Sequence, residues 1–153
     1  MDNVHLNEYI KSYGDTVYRV AYSYTRNRAD SEDIVQDTFV KLMKSDKRFE
    51  SNEHVKAWLI RVAANLAKNA VSSVWCTRME ELSEQLPAEE HTDEGLSAAM
   101  AKLDGKYSAV IYLHYYEGYN VREISKLLKI SEPNVKVRLK RGREKLKAYL
   151  GEE

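Results

Sequence analysis

The sequence predicts an all-α fold: two small helical domains joined by an acidic linker. Three observations carry that expectation. Apolar residues recur at helical spacing along most of the chain, and no alternating strand pattern competes. Only 6 Gly and 2 Pro interrupt 153 residues, so long helices are expected. The run "EELSEQLPAEEHTDE", residues 80–94, has seven acidic residues, no Lys or Arg, and Pro87. Such a stretch buries little and reads as a soluble tether. The expected division is a first helical domain at 1–78, a linker at 79–95 and a second helical domain at 96–153.

In the first helix Leu6, Ile10, Tyr13, Val17, Val20, Ala21 and Tyr24 form one stripe. In the second, Ile34, Val35, Phe39 and Leu42 do so, with Asp30 or Ser31 as the expected N-cap and Glu32 and Asp33 in the first turn. In the third, Val55, Trp58, Leu59, Val62, Ala63 and Leu66 follow the i, i+3, i+4, i+7 spacing, with Ser51 or Asn52 as the cap. Beyond the linker, "LSAAMAKL" predicts a short helix that breaks at Asp104-Gly105. "KYSAVIYLHYY" predicts a second helix ending at Glu117-Gly118. "NVREISKLL" predicts a third, capped by Asn120, with Val121, Ile124, Leu127 and Leu128 facing inward. A last helix runs from Ser131 to about Leu150. Five tyrosines, Tyr107, Tyr112, Tyr115, Tyr116 and Tyr119, fall in the second domain; helical spacing makes several of them core or half-buried, which favours packing over stacking on bases.

Composition narrows the function classes. At 43% hydrophobic and 31% charged the chain belongs with ordinary folded domains. No apolar run reaches the roughly 18–20 residues that cross a bilayer. The N-terminus lacks a basic-then-apolar leader pattern, so the expected location is cytoplasmic. The lone Cys76 forms no internal disulfide. His5, His54, His91 and His114 show no ligand spacing, and no phosphate-cradling loop or nucleophile motif occurs. No metal, no cofactor and no catalysis are therefore expected. The formal net charge is zero, but its distribution is uneven: net +2 over residues 1–78, −7 over 79–104 and +5 over 105–153. That asymmetry speaks of partners rather than of fold.

The basic end has an internal plan. Residues 120–128, then Lys129-Ile130, then a helix opening at Ser131 have the dimensions of a helix-turn-helix. Ile130 is apolar in the turn, Ser131 is a good N-cap, and Pro133 sits in the first turn, where a missing N–H costs little. Val135, Leu139, Gly142, Leu146 and Leu150 form the inward stripe. The second helix of such a unit enters the DNA major groove with its N-terminal part toward base edges. That makes Ser131, Glu132, Asn134, Lys136 and Val137 candidates for bases. Arg138, Lys140 and Arg141 suit bases or phosphates, and Arg143 and Lys145 suit phosphates.

Residues 30–69, "DSEDIVQDTFVKLMKSDKRFESNEHVKAWLIRVAANLAKN", resemble region 2 of the sigma-70 family, in particular its extracytoplasmic-function group. The resemblance rests on Asp30, Glu32, Asp33, Val35, Gln36, Asp37, Phe39, Trp58, Leu59 and Asn65. Residues 107–146 resemble region 4 of the same group through Leu113, Tyr115, Glu117, Gly118, Glu123, Ile124, Ser131, Val135, Arg138, Leu139, Arg141 and Leu146. The two occur in the family's order.

The resemblance implies a promoter-specificity subunit of bacterial core RNA polymerase. Region 2 would bind polymerase and the −10 element, region 4 would bind the −35 element, and an anti-sigma factor would be a further partner. It assigns polymerase contact to Asp33, Gln36, Asp37 and Lys41. It assigns −10 contact to Lys47 and Arg48 in the loop after the second helix, and to Arg61, Asn65, Lys68 and Asn69 on the third. Phe49 in that loop reads as a core anchor. Residues 69–78 carry a single cation, Arg78, which predicts weak, salt-sensitive DNA binding without polymerase. Two other readings stay open: a free-standing helix-turn-helix regulator, and a sigma-like protein that binds polymerase without opening promoters.

Overall fold

The computed structural model describes residues 3–82, 100 and 102–151. Those residues are helical with no strand among them. The helices are α1 (Asn3–Thr25), α2 (Arg28–Lys44), α3 (Asn52–Leu82), α4 (Gly105–Ile111), α5 (Val121–Leu128) and α6 (Glu132–Tyr149). α3 runs to Leu82, so the first four residues of the predicted linker are helical rather than tether; the rest of it lies outside the described residues, as does most of the short helix expected at 96–103.

The first three helices pack as a bundle, with α1 against both α2 and α3. Val17, Val20 and Ala21 from α1, Ile34, Phe39 and Leu42 from α2, and Val55, Leu59 and Ala63 from α3 fill it. Ile10 departs from the expected stripe and is 41% exposed, while Leu6, Tyr9 and Tyr13 of the same helix pack against the core. The cap of α2 also differs from expectation. Asn27, not Asp30 or Ser31, is the N-cap, and its side chain accepts from the Asp30 backbone N–H at 2.8 Å. Ser31 is instead fully buried, 2.8 Å from Thr25 Oγ1 and donating to the Asn27 carbonyl. Polar residues at 27, 30 and 31 are all capable caps, and the tight turn through Arg26, at φ 54°, selects the earliest. Ser51 caps α3 as expected, accepting from His54 N–H at 3.1 Å. Phe49 anchors the preceding loop by setting its ring edge-on to Trp58 and His54.

The second half begins at Leu103, which is fully buried. α4 does not run on as one α-helix to Glu117. It passes into a π-helical turn at Tyr112–Tyr116, closed by a bond from Glu117 N–H to the Tyr112 carbonyl. One residue more per turn re-aims the side chains that follow. Asn120 then starts α5 in a full capping box with Glu123, at 2.8 and 2.9 Å. Lys129 ends α5 in the left-handed region at φ 60°. Ile130 packs against the core, and its carbonyl accepts from Ser125 Oγ. Ser131 caps α6, accepting from Asn134 N–H. On α6 Val135, Leu139 and Gly142 are buried and Leu146 is half-buried, but Leu150 at the fraying end is 41% exposed. Gly142 allows a close approach: a Cβ there would lie 3.1 Å from the Ile111 side chain of α4, which would have to shift.

The two halves pack on each other, α1 against α4 and α3 against α5, and one apolar cluster runs through both. The approach is close. A Cβ on Gly105 would lie 2.9 Å from the backbone Cα of Tyr24. Beside it, Ser108 Oγ donates to the Ser23 carbonyl at 3.0 Å.

Candidate nucleic-acid and polymerase interface

The helix-turn-helix geometry on α5 and α6 is complete. The N-terminal part of α6 stands clear of the core, with Ser131, Glu132, Lys136, Val137, Lys140 and Arg141 exposed. Val137, Lys140 and Arg141 point opposite the Val135–Leu139 stripe, where a groove would meet them. Asn134 and Arg138, one turn apart, are half-buried on one flank, and Arg138 Nε donates to Asn134 Oδ1 at 3.1 Å. Arg143 on the other flank donates to the Tyr115 hydroxyl. Of the five tyrosines, Tyr107 and Tyr112 are buried and Tyr119 packs against the core, while Tyr115 and Tyr116 are each 54% exposed, Tyr116 stacking its ring on Tyr112.

On α2, Asp33, Gln36, Asp37 and Lys41 are all exposed, Asp33 and Gln36 on the face away from the buried stripe and Lys41 at its edge. Val40 and Met43, 40% and 41% exposed, stand beside them and were not singled out by sequence. A mixed acidic and apolar exposed face suits a protein partner better than a nucleic acid.

The six residues expected at the −10 element divide. Lys47, Arg48, Arg61, Asn65 and Asn69 are exposed. Lys68 is half-buried and its ammonium donates to the Leu128 carbonyl at the end of α5, at 2.6 Å. Burial holds that ammonium below the usual lysine range, and the charges of Arg138 and Lys129 push it the same way.

Sigma-70 region 2 is matched by residues 9–77 and sigma-70 region 4 by residues 93–146. The chain belongs to the sigma-70 family. Among its relatives, the extracytoplasmic-function (ECF) RNA polymerase sigma factor SigE of Mycolicibacterium smegmatis is 31% identical over 94% of this chain, which spans 61% of SigE. SigW of Bacillus subtilis, also an ECF sigma factor, is 28% identical over 90% of this chain and 84% of its own length. CarQ of Myxococcus xanthus, an RNA polymerase sigma factor, is 30% identical over 83% of this chain and 78% of its own. The fold matches the sigma factor RpoE of Bartonella quintana, solved with the anti-sigma factor NepR, at a TM-score of 0.67 and 19% identity over 94% and 95% of the two chains.

In these terms α1 to α3 are sigma-70 region 2, and α4 to α6 are region 4. The polar residues that join them went unrecognised in the sequence. Glu117, at the end of the π-helical turn, is nearly buried and meets Lys56 of α3 at 2.8 Å. Its other carboxylate oxygen accepts from Thr16 of α1 at 3.1 Å and from the Tyr112 hydroxyl. Burial alone would raise the Glu117 carboxyl, but bonds from Lys56, Tyr112 and Thr16 and the Lys56 charge outweigh it and hold it below its usual range. Burial and the Glu117 bond push the Tyr112 hydroxyl well up. At the far side of the same contact, the Tyr24 hydroxyl is pushed up to about 12 by burial, which the charge of Arg138 partly offsets. Lys56, Thr16 and Glu117 are about as polar as surface residues elsewhere in the chain, so only tertiary packing marks them.

Among the described residues no cluster of His, Cys, Asp and Glu is suited to a metal ion, and no helix is long and apolar enough to cross a membrane.

Proposed function

We propose that this chain is an ECF-type sigma factor that directs core RNA polymerase to specific promoters and starts DNA-templated transcription. One observation carries the reading above all. A Ser-capped basic helix with its outer face exposed and a separate acidic and apolar helix face, on α6 and α2, occur in one chain. The first suits duplex DNA at the −35 element. The second, Asp33, Gln36, Asp37 and Lys41 with Val40 and Met43, suits a polymerase surface. Arg61, Asn65, Lys68 and Asn69, with Lys47 and Arg48, would meet the −10 element. Relatives named as RNA polymerase sigma factors support the same reading. The role is non-catalytic, since nucleotide chemistry stays with polymerase, and it puts the chain in the cytoplasm, where polymerase works. The RpoE structure holds an anti-sigma factor, and an anti-sigma partner fits this chain too.

Run-off transcription with core polymerase on a promoter library, with and without the protein, tests the reading. Protein-dependent transcripts are expected. Tight operator binding without polymerase, and no transcripts, would instead mark a free-standing regulator. Binding to core without transcripts would mark a sigma-like protein that no longer opens DNA. Replacing Lys140 and Arg141 together by Ala should abolish transcription from promoters that need the −35 element and leave core binding intact. Those two are a cleaner pair than any including Arg138, which also borders region 2.

A further inference from the structure

The outward face of α6 carries a feature that charge does not explain. Among the described residues of that helix only Val137 and Tyr149 are large apolar side chains left exposed, and Tyr149 is at its far end, under the Lys102 ammonium. Val137 lies two residues on from the fully buried Val135, which sets it nearly opposite the core. Lys136, Lys140 and Arg141 surround it, all exposed. Those cations fit the phosphates of any sequence. An isopropyl group in their midst fits none of them, and it costs free energy to leave in water. A β-branched side chain holds one strongly preferred rotamer on a helix, so Val137 is a fixed apolar probe.

Asn134 stands one turn before it, at the i, i+3 spacing that makes helix neighbours. Arg138 fixes which way the Asn134 amide faces. Its Nε can only donate, and it donates to Asn134 Oδ1 at 3.1 Å. The oxygen is thereby held toward Arg138, and Nδ2, a donor only, is the end left for another partner. Ser131 Oγ accepts the backbone N–H of Asn134 and holds the residue at the start of the helix. Together the two side chains offer one hydrogen-bond donor beside one apolar surface. Of the four base edges in the major groove, thymine alone sets an acceptor, O4, beside a methyl group. Cytosine and adenine would bring N4 and N6 donors against the Asn134 donor. Guanine offers acceptors but nothing apolar for Val137.

We infer that Val137 and Asn134 together read one thymine of the −35 element, Val137 against its 5-methyl group and Asn134 Nδ2 toward O4, with Arg138 as the positioning residue that orients the amide. The inference deepens the promoter-directed reading above and rests on it. It divides the labour on the exposed face of α6. Lys136, Lys140 and Arg141 supply affinity through phosphates, and the Val137–Asn134 pair supplies the choice of base at one position.

The test uses the full chain with core polymerase and a pool of promoter duplexes randomised across the −35 element. Selection for binding should enrich one position for T·A. Each thymine of the selected element is then replaced in turn by deoxyuridine, which lacks only the 5-methyl group. Replacement at the enriched position should weaken wild-type binding about 4-fold, the scale of one methyl taken from water. Cytosine there should weaken it about 10-fold, since it lacks the methyl and sets a donor against Nδ2. Val137→Ser should bind the thymine and deoxyuridine duplexes equally. Arg138→Lys keeps the charge but frees the Asn134 amide to turn, so it should lower the preference for thymine over cytosine about 3-fold and leave the deoxyuridine effect in place. Equal wild-type binding to thymine and deoxyuridine at every position would overturn the inference. So would a Val137→Ser chain as sensitive to the methyl group as the wild type. An undiminished preference over cytosine in Arg138→Lys would overturn the positioning role. Failure of the promoter reading shows separately, as no sequence enriched above the pool and no wild-type transcript with core polymerase.

Discussion

The two helices expected to meet DNA, α3 and α6, bury themselves in different ways. α6 is one-sided: Val135, Leu139 and Gly142 face inward, and the opposite face carries Val137, Lys140 and Arg141. α3 is buried over more than half its circumference. Val55, Leu59 and Ala63 face α1 and α2, and Ile60, Ala64 and Ala67 fill the side bracketed by Lys56 and Lys68, which meet region 4. What remains of α3 is a narrow polar strip of Arg61, Asn65 and Asn69. A one-sided helix advertises its working face, whereas a helix packed on two sides must share its working face with an internal contact. That is why the predicted DNA set on α6 stands largely clear, while Lys68 on α3 is already engaged.

The sharpest way to break this contrast is to cut each helix in its core. Leu59 is fully buried on α3, and Leu59→Ala should cost about 3 kcal/mol. Leu139→Ala on α6 should cost a similar amount. If the shared contact makes region 2 and region 4 one cooperative unit, either substitution shifts a single urea transition. Two transitions, with each variant moving only its own, would show that the halves melt independently.

The next effect concerns the contact itself. Gly105→Ala puts a methyl 2.9 Å from the Tyr24 backbone and 3.0 Å from the Ser23 carbonyl, neither of which yields easily. The expected loss is about 2 kcal/mol. It should appear as a lower urea midpoint at unchanged helical content. Loss of helical content would place the strain within α4 instead.

The all-α fold, the helix-turn-helix and the caps at Ser51, Asn120 and Ser131 were legible because they are local. A side chain three residues from the group it bonds leaves its trace in the spacing. The exposed faces of α2 and α6 were legible for the same reason, through a single apolar stripe that assigns the other side to solvent. Ile60, Ala64 and Ala67 have helical spacing too, but a second stripe beside the first reads as breadth, not as another partner. Thr16, Lys56 and Glu117 lie up to 101 positions apart, and no local pattern couples them. The π-helical turn that aims Glu117 is equally silent, since "YLHYY" carries no breaker. Asn27 outcompeted Asp30 and Ser31 as a cap through a turn that those three residue types do not rank.

A smaller effect isolates the recognition unit from the contact. Asn120→Ala removes one half of the capping box, the side-chain amide oxygen that accepts from Glu123 N–H, and should cost about 1 kcal/mol. Because α5 orients α6 and also meets α3, the variant should lower the thermal midpoint slightly at unchanged helical content. A loss as large as that of Leu139→Ala would mean that the start of α5 holds the whole recognition unit together.

The smallest expected effect is a pH drift whose two ends come from the two ends of the contact. Glu117 titrates below its usual range in the folded chain, so in the acidic window between its folded value and the ordinary carboxylate value the unfolded chain binds more protons. Its stabilisation is therefore complete above the ordinary carboxylate range and is lost as pH falls through the folded value. Lys56 faces it directly, and Arg19, Glu53 and Glu123 act on the neighbouring tyrosines Tyr112 and Tyr119, so the acid limb reports this cluster as a whole. Lys68 is also lowered, and the sign is the same at the alkaline end: the unfolded chain again binds more protons between the folded and ordinary lysine values, so stability rises with pH there. Urea melts across both windows should show stability climbing with pH in each. Glu117→Gln should flatten only the acidic climb and Lys68→Met only the alkaline one. If Glu117→Gln left the acidic climb intact, the contact between the halves would draw its strength from apolar packing at Ile60 and Ala64 rather than from charge.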